Sequence, residues 1–488
     1  MYWEKIPHKF QPRDNQQVSI DNAVSGFTSK GFHGLLMEMS LGKTKVSLNA
    51  AEVLKQFGAL ERLMIVCPKA IESVWMEQIP EHTHLESEVV RWENKKTHKH
   101  QSELKSLFTK DFPILIVRLE MFQRKSEELR KFLERFFEKP TMVILDESSK
   151  IKNVATARTP RLIEYTRGSA YRTILTGTPW TESPLDIFAQ MEFLQSGFWY
   201  RYSGEWSVGV LKKHWYIFRN RYAVMQEIHT SEGRSFKTVV GARRTEEIAQ
   251  KIQGHVTQQK KVDWLDLPDK MFQTLHVEMG IEQTQAYNSM KNKLILEHGD
   301  EVLTAQNAAV LLTRLRQIAG GFYPETGEPI TGKIAGIEML LEDVSEYPGK
   351  VVVAASYVAE IKGIVKALGK QYGEDTVATY YGATKDRDEE LLRFKNGPAR
   401  FLVMNPQSGA YGLNLQFSSL MYLYSRPFSY EQNAQLEDRI HRPGMVGSAV
   451  YKDIIHLGTV QEKVLKAVAK KKDLVEAFDK LTLRDFIS

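Results

Sequence analysis

Short aliphatic runs recur along the chain, each followed by a polar turn and then a stretch of helical period. Residues 63–67, 114–117, 142–145, 173–175, 351–355, 401–404 and 420–424 are such runs, and each reads as a buried strand. Between them lie amphipathic segments, of which 126–139 is the clearest. Ser126 can cap its start, Leu129, Phe132, Leu133, Phe136 and Phe137 share one face, and Pro140 ends it. Strands that alternate with helices predict an α/β fold with parallel sheets covered on both faces. The runs are dense to about residue 194, thin out, and resume near 351. Residues 198–222 are rich in Trp, Tyr, Phe, Lys and Arg, and the segments after them look predominantly helical. The pattern therefore predicts a first lobe over 1–195, a mostly helical insertion over 196–325 and a second lobe over 326–488. Ligands of open parallel sheets bind at the carboxyl ends of the strands, so the loops after the runs are where chemistry is expected.

The first such loop lies between a strand at Gly34-Leu35-Leu36-Met37-Glu38 and a helix over 43–57 that Gly58 ends. It reads Met39-Ser40-Leu41-Gly42-Lys43-Thr44. A turn of this kind wraps backbone N–H groups around phosphate oxygens, and the helix behind it adds its positive end. Lys43 would reach the β- and γ-phosphates of ATP, and the Thr44 hydroxyl would bind Mg2+. Met37 occupies the place of the first glycine in the usual phosphate-loop spacing. Gly-Lys-Thr alone is equally what a surface turn supplies. The run 142–145, however, leads straight into Asp146-Glu147-Ser148-Ser149. Asp146 is placed to hold magnesium, and Glu147 to orient and deprotonate an attacking water. Buried strands seldom end in paired acids, because an unpaired buried charge is costly. The two elements together point to a nucleotide site.

Composition narrows the setting. The 488 residues exceed one compact core and suit two or three domains. Cys67, the single cysteine, excludes intrachain disulfides and cysteine-rich zinc sites, and its apolar surroundings mark it as a packed thiol. Lys plus Arg number 66 against 60 for Asp plus Glu, a net charge of +6, which permits nucleic-acid binding without requiring it. No run approaches the ~18 apolar residues of a membrane span, and no signal peptide opens the chain. A cytoplasmic protein is expected, in the host cytoplasm for a viral one. His98 and His100 lie among lysines that repel a cation, so a metal site there is not expected.

The Leu41-Gly42-Lys43-Thr44 loop followed by Asp146-Glu147-Ser148-Ser149 resembles the Swi/Snf-type branch of superfamily-two helicases and DNA translocases. The resemblance extends over most of the chain. Arg13 and Gln16 resemble the adenine-reading element. Cys67-Pro68-Lys69, with Trp75 behind it, is similar to a motif whose Lys69 would contact a nucleic-acid backbone. Leu175-Thr176-Gly177-Thr178-Pro179 resembles the motif that couples hydrolysis to lobe movement. Leu267-Pro268 and Arg314-Leu315-Arg316-Gln317-Ile318 resemble the entry to the second lobe. There Thr384 and Lys385, in Tyr381-Gly382-Ala383-Thr384-Lys385, would bind strand phosphates. Gln407 and Ser408 open the similar stretch that runs through Gly412 to Leu415 and links nucleic acid to ATP. Gln435-Leu436-Glu437-Asp438-Arg439-Ile440-His441-Arg442-Pro443-Gly444 resembles the last motif, in which Gln435 is on the nucleotide side, Arg442 is the finger and Arg439 its partner. Spaced three apart, Arg439 and Arg442 are expected on one helical face. His441 is given no chemical role and is expected to pack or bond within that helix.

The resemblance implies two RecA-like lobes in tandem, ATP and Mg2+ as cofactors, and sequence-independent movement on duplex or branched DNA in replication, recombination or repair. An RNA helicase of the same superfamily and a non-hydrolysing nucleotide-gated clamp are the alternatives. The compact chain suggests a phage or bacterial source. The aromatic stretch 199–222 is expected either to form an accessory surface that stacks on bases or to pack a small subdomain. Met37 and Ser40 replace an acid and a glycine common in the phosphate loop of this branch, and Met445 replaces a Gln.

Overall fold

The computed structural model of the protein describes residues 1–85, 89–93, 97–180, 183–202, 204–229, 235–298, 305–409, 413–445 and 447–469. The chain divides into two compact units, the first ending at Leu265 and the second beginning at Asp266.

Among the described residues of the first unit, nine strands run in chain order. They are β1 (Phe32–Met37), β2 (Arg62–Cys67), β3 (Val89–Arg91), β4 (Ile114–Arg118), β5 (Thr141–Asp146), β6 (Tyr171–Thr176), β7 (Ala223–His229), β8 (Ser235–Ala242) and β9 (Val256–Gln259). Seven form one parallel sheet in the order β3-β4-β2-β5-β6-β1-β9. Every residue of β1 and β2 is buried, which is why these strands read as unbroken aliphatic runs. The helix Glu127–Phe136 packs on this sheet as its periodicity predicts. Ser126 Oγ accepts from the Leu129 amide at 3.2 Å, and Leu129, Leu133 and Phe136 are fully buried.

The stretch 223–277 holds four strands where helices were expected. β7 and β8 pair as an antiparallel ribbon with a register irregularity at Val224/Met225. β9 (Val-Thr-Gln-Gln) pairs with β1 in register Gly34↔Val256, so the edge of the first sheet comes from far along the chain. Three of its four residues are polar, so this edge strand carries no aliphatic run to betray it. The aromatic stretch packs inward. In the helix Val208–Tyr222, Leu211, His214, Phe218 and Tyr222 are buried, and Trp199 meets Phe218 edge-on at 4.5 Å between centroids. The buried Glu192 accepts from the amides of Gly197 (2.9 Å) and Trp199 (3.3 Å) and from the Tyr202 hydroxyl, which pins this segment to the lobe.

The second unit carries β10 (Met271–Val277), β11 (Val351–Ala354), β12 (Val377–Tyr380), β13 (Phe401–Met404), β14 (Leu420–Leu423) and β15 (Val450–His456). They form a second parallel sheet in the order β10-β15-β14-β11-β13-β12. The helices Ile281–His298 and Ala305–Ala319 belong to this unit, and their apolar residues form a cluster with Val460 and Val464. No helix among the described residues is long and apolar enough to cross a membrane.

Glu360 sits wholly buried at the start of the helix Val358–Tyr372, accepting from the Tyr357 amide at 3.3 Å and from the Ser425 hydroxyl. Burial pushes its carboxyl up to about 7 from an ordinary 4.5. The folded state therefore binds a proton that the unfolded chain has released. Its contribution is whole below 4.5 and is lost as pH rises through about 7. Glu360→Gln keeps the shape and removes the titration. The stability of wild type relative to this variant should fall by a few kcal/mol between acid and about pH 8, as read from urea unfolding at several pH values. A pH-independent difference would show that Glu360 does not titrate as its burial implies.

Candidate functional site

The loop between β1 and the helix Lys43–Gln56 is shaped by two left-handed residues. Gly42 caps the helix at φ 87°, and Ser40 stands at φ 68°. Glycine adopts this region at no steric cost, whereas a serine there carries about 1–2 kcal/mol of strain. Ser40 is thus a substitution at a position that the geometry reserves for glycine. Arg13 and Gln16 lie against the loop. Arg13 Nη2 donates to Ser40 O at 2.8 Å, Gln16 Nε2 donates to Leu41 O at 3.3 Å, and the Arg13 amide donates to Gln16 Oε1 at 3.0 Å. A Cβ on Gly42 would fall 2.0 Å from Gln16 Nε2, so only glycine fits. Lys43 Nζ donates to Met37 O at 2.8 Å, and Thr44 is half-buried in the first helical turn. Arg13, Gln16, Leu41, Gly42, Lys43 and Thr44 are therefore brought together.

Two further residues hold the loop and were not foreseen. Asn15 Nδ2 lies within hydrogen-bond reach of Leu41 O (3.0 Å) and Gln259 Oε1 (3.1 Å), while Gln259 Nε2 donates to Asn15 O at 3.0 Å. The Lys261 amide donates to Glu38 Oε2 at 2.7 Å. No local pattern marks Gln259; its role follows from β9 joining β1.

The strand β5, paired with β6 in register Asp146↔Leu175, delivers Asp146 to the same end of the sheet. Trp75 Nε1 donates to Asp146 Oδ2 at 2.9 Å and the Glu147 amide to Oδ1 at 2.9 Å. Burial raises the Asp146 pKa above its ordinary value, and the Lys43 ammonium is the main influence opposing that rise. Glu147 follows at φ 51°, a strained conformation for a residue with a side chain. Ser148 Oγ donates to Gln190 Oε1 at 2.7 Å, and Gln190 Nε2 donates to Pro179 O at 2.6 Å. One buried amide thus ties the acidic motif to Thr176-Gly177-Thr178-Pro179. The available signal was that Gln190 is one of two polar residues in the otherwise apolar helix Ile187–Leu194. Lys69 is exposed beyond β2, its amide 3.4 Å from Glu120 Oε1.

In the second unit Thr384 and Lys385 on the loop after β12, and Gln407 and Ser408 in the short helix Pro406–Gly409 after β13, share the carboxyl end of the sheet. The Asn405 amide donates to Tyr380 O at 3.1 Å and so joins the two loops. Thr384 Oγ1 accepts from the Tyr381 amide at 3.1 Å, which fixes its loop, while Lys385 is exposed. The exposed Gln407 borders a cleft of about 420 Å³ with Asn405, Ser356, Tyr357, Thr313 and Arg316. Gly412 lies outside the described residues.

The arginines differ from expectation. The helix Tyr430–Glu437 stops before them, so Arg439 and Arg442 are not neighbours on a helical face but lie on the turn beyond it. Arg439 is 2% exposed, with Nη1 3.4 Å from Leu413 O, and its own carbonyl accepts from the Leu415 amide. Arg442 is half-buried, and its Nε donates to Asp438 O at 2.9 Å. Burial lowers the Arg442 pKa, with Asp438 opposing. Pro443 lacks an N–H and disfavours helix at Arg442, so the chain does not resume a helix there. Gln435 is buried and donates to Glu431 Oε1 at 3.2 Å. His441 bonds outside the motif, its Nε2 2.7 Å from Pro268 O, rather than within a helix.

The phosphate-loop geometry fits a nucleotide with magnesium. Ser40 Oγ is buried with no hydrogen-bond partner among the described residues, Gly42 stands at φ 87° where a side chain is strained, and Lys43 faces the field of a carboxylate. Thr44 and Asp146 are the oxygen donors suited to the metal. A buried carboxylate is a burden on the folded protein alone. With its pKa raised, Asp146 adds stability below the ordinary value of 3.8 and loses it as pH rises above. Asp146→Asn should therefore unfold at a higher temperature than wild type near pH 8, and the gap should narrow toward about pH 4. Thermal unfolding without nucleotide measures this; an Asn variant less stable at both pH values would contradict it.

Comparison with known proteins places this geometry. Residues 26–320 match the SNF2-related domain, and residues 333–444 match the helicase conserved C-terminal domain. Protein p41 of Acyrthosiphon pisum secondary endosymbiont phage 1 is 23% identical over 473 residues, covering 91% of this chain and 94% of its own. The ISWI chromatin-remodeling complex ATPase CHR11 of Arabidopsis thaliana is 24% identical over 94% of this chain, and the match spans 42% of that protein. The human DNA repair and recombination protein RAD54B is 22% identical over 95% of this chain and 54% of its own length. The chain thus spans nearly all of the phage relative but about two fifths of the plant one. Among solved structures, the SWI2/SNF2 ATPase core of Sulfolobus solfataricus in complex with dsDNA is similar at 21% identity and a TM-score of 0.42, covering 97% of this chain and 94% of that one. With more than half of its length matched by the SNF2-related domain and the helicase C-terminal domain following it, the chain belongs to the SNF2 family of helicase-like proteins.

Proposed function

We propose that the protein is an ATP hydrolase that couples turnover to movement along duplex or branched DNA, gripping the backbone without regard to sequence. The observation that carries this reading is the convergence of Arg13, Gln16, Gly42, Lys43 and Asp146 on one loop, with the Trp75 indole and the Glu147 amide holding the carboxylate.

Gln16 and Arg13 orient the nucleotide and Lys43 takes the β- and γ-phosphate charge. Thr44 and Asp146 hold magnesium, which when bound neutralises charge on the phosphate oxygens. Glu147 accepts a proton from the attacking water as the water oxygen bonds to the γ-phosphorus and the bond to the bridging oxygen breaks. Arg442, with Arg439 beside it in sequence, neutralises charge on the transferred group. Gln435 and Gly412 belong to the nucleotide side of that motif set. Gln190 is placed to pass a change at Ser148 on to Pro179. For DNA, Lys69, Thr384, Lys385, Gln407 and Ser408 offer an ammonium, hydroxyls and an amide, the groups that contact phosphate rather than base edges. Relatives named for DNA repair, recombination and chromatin remodeling support DNA as the track.

The test is ATP turnover with no nucleic acid, single-stranded DNA, duplex DNA, branched DNA and RNA. Duplex or branched DNA should stimulate turnover by about tenfold or more, and Lys43→Ala should lose about a hundredfold or more. Glu147→Gln should bind ATP and DNA yet turn over slowly. Added salt should weaken the stimulation steeply, since backbone contacts release counterions. Stimulation by RNA alone would favour an RNA helicase. No turnover under any condition, with nucleotide-dependent DNA binding retained, would favour a clamp.

A further inference from the structure

The five residues that open the second unit, 266–270, lie along the turn that carries Arg439 and Arg442, and two side chains fasten them there. His441 Nε2 is 2.7 Å from Pro268 O; a carbonyl only accepts, so the ring nitrogen is the donor. Lys270 Nζ lies 3.2 Å from Glu437 Oε2 and 3.1 Å from Asp438 Oδ1. Burial alone would lower the Lys270 pKa, but Asp438 and Glu437 outweigh it, and the group is held as an ammonium.

The acids at the other end of these bonds are themselves anchored. Arg426 Nη1 donates to Glu437 Oε1 at 2.9 Å, while its Nε and Nη2 grip Asp453 at 2.5 and 3.0 Å. Tyr451 donates its hydroxyl to Glu437 O, and the Met271 amide donates to Ala449 O. Lys270, Glu437, Arg426 and Asp453 thus form a chain of alternating charge from the entry segment, through the acidic pair preceding Arg439, to β15. Beyond Glu437 the backbone keeps irregular bonds, among them His441 N–H to Glu437 O at 3.4 Å and Arg442 N–H to Ile440 O at 3.0 Å, and the side-chain ties add to these in locating the turn. Desolvated ion pairs add little net stability over apolar packing, but they fix position closely.

We propose that His441 and Lys270 are positioning residues, which staple the entry segment to this turn and thereby set where Arg442 and Arg439 point during turnover. The inference rests on the ATP-hydrolase reading. A misplacement of about 1 Å costs up to about a hundredfold in rate, so losing a single tie has a large kinetic effect without contact to substrate.

The test compares wild type with His441→Ala, His441→Gln and Lys270→Met, each also in an Arg442→Ala background. The readouts are kcat and KM for ATP with duplex DNA, and the thermal midpoint. His441→Ala should lower kcat about tenfold while KM stays within about twofold. His441→Gln, whose amide can donate to Pro268 O, should recover most of that loss. In the Arg442→Ala background, removing His441 or Lys270 should cost little more, because their effect passes through Arg442. The proposal is overturned by unchanged kcat in His441→Ala, by a Gln variant no better than Ala, or by losses that multiply in the double variants. If alanine lowers the thermal midpoint, His441→Met, which keeps volume without a donor, takes its place. A wild-type protein with no turnover would instead sink the hydrolase reading.

Discussion

A carboxylate at the end of a buried strand is the constraint around which the first unit is arranged. Asp146 sits where charge is poorly solvated, and an unpaired acid there would cost several kcal/mol. The fold answers with an indole N–H from Trp75, a backbone N–H from Glu147 and the field of Lys43. Each answer fixes another element. Trp75 joins the helix Glu72–His82 to the strand end, Glu147 donates its amide from a left-handed conformation, and Lys43 ties back to Met37 O within the field of the carboxylate. Strain at Glu147 and Ser40 is concentrated at this end of the sheet, the end where parallel sheets bind ligands.

The two units hold their loops by different chemistry. Around the phosphate loop, beside the Arg13 guanidinium on Ser40 O and the Glu38 carboxylate on the Lys261 amide, side-chain amides supply ties: Asn15, Gln16, Gln259 and, one strand away, Gln190. An amide donates and accepts at once and brings no charge, so it braces a backbone without competing for phosphate or metal. In the second unit the ties near the arginine turn are ionic, from Lys270 through Glu437 and Arg426 to Asp453. There the groups to be located are cations on irregular backbone, and carboxylates one and two residues before Arg439 both anchor the turn and offset its charge.

What was legible in the sequence was whatever depends on near neighbours. The aliphatic runs became strands within a residue or two, because a strand buried on both faces must be apolar throughout. The helix after Ser126 formed as its cap and periodicity required. Lys43, Thr44, Asp146 and Glu147 stand out in the sequence as candidates because a phosphate loop and an acid-ended strand are local motifs, and the fold brings Lys43 within the field of Asp146. The segments after residue 222 read as predominantly helical, but β7 and β8 pair with each other, and β9 and β10 owe their conformation to partners far away in the chain. Arg439 and Arg442, spaced for a helix, lie on a turn where Glu437 and Asp438 are ion-paired with Lys270 and Arg426, partners that the spacing does not reveal.

The sequence by itself determined the strand ends that carry chemistry and the residue types placed on them, since chain connectivity alone puts a turn after each buried strand. Only tertiary structure decided which residues hold those turns in place. Gln259 reaches Asn15 because β9 lies beside β1, Gln190 reaches Ser148 and Pro179 because its helix packs under both, and His441 reaches Pro268 because β10 pairs with β15. None of these contacts has a local signature, because each is a hydrogen bond or strand pairing between segments far apart in the chain. They exist only once the sheets have closed.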